Sequence, residues 1–246
     1  MINAAKLFVP RFMHPGNCAD RSLKKLMRNA TVASGPFRGM RYIAESQGSL
    51  LLPKLVGIYE LELAEQVKRY SAIGYADIYV VGAGEGYYAV GFALASPISL
   101  IHAYEAHVGA HHLIRELATI NRVEDRVVIS GVCHVIDLAR SMRPNAFIFM
   151  DVEGAERALL DPESVPQLKT AEILFESHFS PEETQSHILS KFANTHSVER
   201  IDTRERTWRD LAMYPKLYSF YIRRMLKYWF DEMRGGPMQW YCLTPR

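Results

Sequence analysis

Short apolar runs alternate with longer segments of helical period over most of this chain. Residues 78–81, Ile-Tyr-Val-Val, break into Gly82-Ala83-Gly84-Glu85-Gly86 and resume as an apolar segment over 87–94. This pattern predicts a buried strand, a tight turn and a helix. Pro97 closes the helix, and further strands are predicted at 98–104, 126–130, 146–151 and 171–177. Helices are predicted between them at 107–121 and 135–142, with another ending at Leu160. The run Ala146-Phe147-Ile148-Phe149-Met150 is apolar throughout, as a central parallel strand covered on both faces must be. A helix at 181–192 and strands at 197–201 and 239–243 complete the series. Ahead of the first strand, helices are expected at 50–56 and 59–70, a short edge strand at 41–43, and a helix capped by Asn17 or Asp20 that runs to Met27.

The alternation of strand and helix implies an α/β fold. At 246 residues the chain suits one such domain with extensions. The expected division is an N-terminal helical arm and cap over 1–74 and the main domain over 75–246, with an aromatic insertion at about 204–237. Its net charge of +2 implies no bulk affinity for nucleic acid or membrane. Positive charge is nevertheless concentrated in 1–44 and 204–234, which reads as a solvated face or as a surface for an anionic partner. Between 206 and 233 lie Trp208, Tyr214, Tyr218, Phe220, Tyr221, Tyr228, Trp229 and Phe230. Such a segment serves as core, as a homodimer interface, or as a lid whose rings stack on an acceptor such as a sugar. Cys18, Cys133 and Cys242 are isolated, without a C-x-x-C pair or zinc-ligand spacing, so a reduced, cytoplasmic protein is expected. Neither a secretory h-region nor a run of ~18 apolar residues is present, so neither signal peptide nor membrane span is expected.

The chemistry concentrates where strands end. Glycines in the 82–86 turn permit positive φ and let a ligand approach the backbone, and the amides of the following helix start face that ligand. A dinucleotide fingerprint places glycines at its first, third and sixth positions. Here the third glycine is at the fifth position, Gly86, and Tyr87 occupies the sixth. Glu105 ends the second strand about 20 residues beyond the turn, where an acid accepts both hydroxyls of a ribose; the other role for it is a charge at a helix start. The loop of Gly131, Val132 and Cys133 would lie over an adenine. Asp151, Glu153 and Glu156 bring three carboxylates to the end of the fourth strand, and Glu176 and His178 reach the same edge from the fifth. Glu153 and Glu156 also read as favourable first-turn charges, whereas Asp151, ending a buried strand, needs a partner or ligand to offset its desolvation. His107, His111 and His112 read as helix-surface residues.

The G-x-G-x-G turn resembles the first motif of S-adenosylmethionine (SAM)-dependent methyltransferases. Together with GPFRGMRY at 35–42, LLPKLVGIYELEL at 51–63, VVGAGEGYYAVG at 80–91, Glu105, MDVEGAERALLDP at 150–162 and FESHF at 175–179, it makes the chain similar to the FkbM-like family of class I SAM-dependent methyltransferases. The resemblance implies a Rossmann-like three-layer sandwich with a seven-stranded, mostly parallel sheet and an antiparallel edge strand. It also implies SAM as methyl donor and usually a hydroxyl acceptor, here a small molecule or glycan. On this reading Gly82, Ala83, Gly84, Glu85, Gly86 and Tyr87 seat the methionine part, Glu105 the ribose and Val132 the adenine, with Ala106 also in the cofactor site. Val80 stands where such enzymes commonly carry an acid that holds the cofactor's ammonium, and Asp151 is placed to substitute for it or to contact the acceptor. Glu153, Glu176 and His178 are candidate bases, His178 foremost if its pKa is the ordinary near-neutral one. A divalent cation bridging Asp151 and Glu153 is compatible with the sequence and not required by it. The competing readings are an NAD-binding protein, a non-catalytic binding module, and a nucleic-acid methyltransferase, for which no N-P-P-Y-type motif is present.

Overall fold

The computed structural model describes residues 30–204, 206, 210 and 238–246. The apolar runs form β1 (Asp77–Val81), β2 (Leu100–Tyr104), β3 (Val127–Ser130), β4 (Phe147–Met150) and β5 (Glu172–Ser177), and the chain ends with β6 (His196–Asp202) and β7 (Gln239–Pro245). They make one seven-stranded sheet in the order β3-β2-β1-β4-β5-β7-β6. The strands from β1 to β5 are mutually parallel, and β7 runs antiparallel between β5 and the outermost strand, β6. Every residue of β1 and β4 is buried, which explains the apolar runs Ile78–Val81 and Phe147–Met150; the one buried charge, Asp77, is paired with His102.

Seven helices accompany the sheet among the described residues: α1 (Leu51–Val56), α2 (Ala64–Ile73), α3 (Tyr87–Ala95), α4 (His111–Asn121), α5 (Val135–Ser141), α6 (Glu156–Leu159) and α7 (Pro181–His187). Because side chains alternate along a strand, Ile78 and Val80 face one core with α3, α4 and the N-terminal cap, while Tyr79 and Val81 face a second core with Leu138, Leu159 and Ile188. The result is a three-layer α/β sandwich of Rossmann-like architecture. No helix among the described residues is long and apolar enough to cross a membrane.

Residues 30–63 form a cap against α3. Phe37 meets Tyr87, Tyr88 and Phe92 edge-on with ring centroids 5.2–5.8 Å apart. Gly91 makes this possible, since a Cβ there would approach the Phe37 ring to 2.5 Å.

Several element boundaries differ from expectation. Residues 41–43 do not make an edge strand: Arg41 makes one isolated bridge to Thr31, and its backbone is instead bonded by the side chain of Asn121. The helix expected at 59–70 begins later, because Glu60 takes a left-handed φ of 44° that breaks the helical path. α7 ends at His187, and Leu189–Phe192 forms a separate turn after Ile188 at φ −117°. α6 is four residues long because Glu153 and Gly154, at φ 52° and 106°, cannot join a right-handed helix. The helix expected near 17–27 and the aromatic interface or lid at 206–233 lie outside the described residues, apart from Arg206 and Asp210. The chain enters that insertion from Thr203 and returns at Met238, which are joined by three hydrogen bonds beside the carboxyl end of β6.

Candidate functional site at the carboxyl edge of the sheet

The glycine turn leaves β1 and is held from two sides. The amides of Gly82 and Ala83 both donate to the carbonyl of Tyr104, at the end of β2, at 2.9 Å. Asp151, just past β4, donates its amide to Val81 at 2.9 Å. Its carbonyl lies so close to Gly82 that a Cβ there would sit 1.7 Å from it. Gly82 and Gly84 remain partly open to solvent, and both take positive φ.

Glu105 closes the other side of this turn. One of its oxygens accepts the Gly84 amide at 2.7 Å and the other accepts the His107 amide at 2.7 Å. Its carbonyl takes the His111 ring at 2.8 Å, so His111 braces the end of β2. Ala106 and Val132 are exposed beyond the neighbouring strand ends, with Val132 53% accessible.

The side chains of Glu85 and Tyr87 point away from this open face. Glu85 is buried and receives the Tyr42 hydroxyl at 2.5 Å, Ser46 at 3.1 Å, the Gln47 amide at 3.0 Å and the ammonium of Lys54. Tyr87 packs edge-on against Phe37, Tyr42, Tyr59 and Tyr88. Of the 82–87 stretch only Gly82 and Gly84 are partly open, so the structure leaves Glu85 and Tyr87 as residues that shape the turn from beneath. Val80, fully buried in β1, supplies no carboxylate; Asp151 is the acid that the fold puts beside the turn.

Four carboxylates surround His178. Its Nδ1 is 2.7 Å from Glu156, which is completely buried. Its Nε2 stands 3.6 Å from Asp151, 3.6 Å from Glu153 and 3.8 Å from Glu176. Glu156 is itself fixed by the amides of Val152 and Gly154. Burial disfavours the imidazolium, but the bond to Glu156 and the charges of Glu156, Asp151 and Glu176 outweigh it and push the ring up to about 9. His178 therefore carries a proton at pH 7, which departs from the near-neutral value assumed for a general base. Asp151, Glu176 and His178 are also the one group among the described residues whose ligand atoms, all within 4.8 Å of one another, suit a metal ion.

The fold thus unites the glycine turn, Glu105 and Asp151 on one side and Asp151, Glu153, Glu176 and His178 on the other. Sequence reasoning missed the buried role of Glu156 and the partnership of Lys54 with Glu85. The available signal for the latter was a lysine inside the apolar run 51–56.

No family model and no curated protein matches the chain. Solved structures do. A candidate RNA methyltransferase from Pyrococcus horikoshii is 14% identical, over 77% of this chain and 84% of that one, with a TM-score of 0.50. An O-methyltransferase from Bacillus cereus, in complex with S-adenosylhomocysteine (SAH), is 13% identical over 73% of this chain and 81% of that one, at 0.45. The O-methyltransferase TomG from Streptomyces achromogenes, involved in tomaymycin synthesis and in complex with SAM, is 13% identical over 74% and 80%, at 0.44. At 14% identity the likeness to the Pyrococcus horikoshii protein is one of fold alone.

Proposed function

We propose that the protein is a SAM-dependent methyltransferase acting on a hydroxyl oxygen of a small molecule or sugar. The observation that carries the reading is the bond from the Gly84 amide to the Glu105 carboxylate. It places an acid with further acceptor capacity beside an open glycine turn, at the crevice where parallel sheets of this kind take nucleosides.

The residues present fit the cofactor. Gly84 carries no side chain, and a Cβ there would meet only the Gln47 carbonyl, at 3.7 Å, so the turn is open to a close-lying ligand. The turn backbone would hold the methionine part, Glu105 the ribose hydroxyls, and Ala106 and Val132 would flank the adenine. Asp151 would face the ammonium, in place of the acid absent at Val80. When bound, SAM supplies a methyl group on a sulfonium, the electrophile of the reaction.

The chain's own contribution is alignment and proton handling. Holding the acceptor oxygen in line removes several kcal/mol from the barrier. Glu176 is the acceptor for the hydroxyl proton in this reading, with Glu153 at the exposed rim. His178 is charged, so it acts by orienting these carboxylates and lowering their mutual repulsion. Ligand atoms of Asp151, Glu176 and His178 lie within 4.8 Å of one another, but a divalent ion there would need His178 to give up its proton, and this reading does not use one. Calorimetric titration with SAH and with NADH tests the reading: micromolar SAH binding is expected, and NADH binding without SAH binding would overturn it.

A further inference from the structure

The buried ion pair between Lys54 and Glu85 connects two parts of the chain that sequence alone leaves unrelated. Lys54 lies on α1 of the N-terminal cap, and Glu85 sits between the second and third glycines of the turn. Their side chains are 4% and 1% exposed. Charges so deeply buried need further partners, and these are present. Glu85 also takes Tyr42, Ser46 and the Gln47 amide, while Lys54 also reaches Ser46 at 3.2 Å and lies 4.8 Å from the Tyr59 ring centroid. The attraction of Lys54 overcomes burial and holds the Glu85 carboxyl below its usual range.

Two consequences follow for the open face of the turn. The carboxylate of Glu85, whose residue lies between Gly84 and Gly86, is bonded entirely to groups of the cap. The same carboxylate bonds Ser46 and the exposed Gln47, whose carbonyl lies on the side of Gly84 where a Cβ would point. These two residues are thereby a wall of the space above the turn.

We infer that Lys54 is a positioning residue for the cofactor: through Glu85 it sets the amides of the 82–86 turn and holds Ser46 and Gln47 as one wall of the methionine subsite. The inference deepens the proposed function and rests on it for the identity of the ligand. Its mechanical part, that the pair orders the turn, is independent of any ligand.

The test compares Lys54→Met, Lys54→Arg and the charge-neutral double variant Lys54→Met/Glu85→Gln with the wild type. SAH affinity is measured by calorimetry, and amide hydrogen exchange is measured over 42–50 and 82–87 in the ligand-free protein. Loss of the pair is expected to raise the SAH Kd about tenfold or more, a change of about 1.4 kcal/mol. Lys54→Arg should restore most of the affinity. Exchange should quicken in those two stretches while β4 and β5 stay protected. If Lys54→Met does not fold, the double variant, which leaves no unpaired buried charge, carries the comparison. A folded variant lacking the pair that binds SAH within about twofold of wild type would overturn the inference, as would unchanged exchange over 82–87. Absence of SAH binding by the wild type would instead contradict the methyltransferase reading, and the exchange data would still decide whether Lys54 orders the turn.

Discussion

The carboxylate of Glu105 accepts the amide proton of Gly84 at 2.7 Å, tying the end of β2 to the middle of the glycine turn. One side chain therefore shapes the turn and presents an acid at its mouth. Charge-assisted hydrogen bonds contribute about 1.5–3 kcal/mol each. Glu105→Ala is expected to weaken SAH binding by roughly 100-fold, the loss of two such bonds at the low end of that range. Calorimetry showing unchanged affinity would remove Glu105 from the cofactor site.

Gly82 has a φ of 86°, and a Cβ on it would fall 1.7 Å from the Asp151 carbonyl. Gly82→Ala must then displace either the turn or the end of β4, the two halves of the proposed site. A loss of roughly 2–4 kcal/mol in urea denaturation is expected, together with loss of SAH binding. A variant within about 0.5 kcal/mol of wild type, the range of ordinary surface changes, would show that the backbone there yields freely.

The environment of His178 makes stability depend on pH. Its folded pKa of about 9 lies above the ordinary 6.5, so protonation favours the folded state. The contribution is fully present below pH 6.5 and is lost as pH rises through about 9. Denaturation midpoints measured in metal-free buffer should fall across that window. Glu156→Gln removes the carboxylate bonded to Nδ1 and should bring the His178 titration down towards neutrality by NMR. A wild-type His178 titrating at or below 6.5 would contradict the assigned charge state.

Arg206 and Glu62 form a second buried pair, 2.6 Å apart and 3% and 5% exposed, where the chain beyond β6 meets the cap. Arg206 also donates to the Ile58 carbonyl at 2.9 Å. Arg206→Met leaves Glu62 buried without its cation and should cost about 3–5 kcal/mol in chemical denaturation. Adding Glu62→Gln should recover part of that loss. An Arg206→Met protein as stable as wild type would show that the pair is not holding the cap.

The sheet was legible because burial imposes a simple signature. β4 and all of β1 after Asp77, covered on both faces, read as unbroken apolar runs, and the turn after β1 announces itself through glycines that must take positive φ. The acids at 105, 151, 153 and 176 were legible as strand ends. What escaped depends on contacts between distant segments. Nothing near Glu85 in the sequence says that Lys54 will reach it. The start of α2 turns on the backbone of Glu60 alone. The charge of His178 comes from carboxylates on α6, the loop after β4 and β5, so an isolated-residue pKa misjudged it. The position of β7 between β5 and β6 likewise follows from pairing, which local periodicity does not encode.

The central claim is that a nucleoside cofactor lies along the carboxyl edge with its ribose on Glu105 and its sulfur turned towards Asp151. A crystal structure of the protein with SAH tests it most directly. The account predicts both ribose hydroxyls within hydrogen-bonding distance of Glu105, the methionine part against the 82–86 backbone, and the sulfur facing the group of Asp151, Glu176 and His178. SAH bound away from the glycine turn, or a turn whose open face is filled by the protein's own side chains, would contradict it.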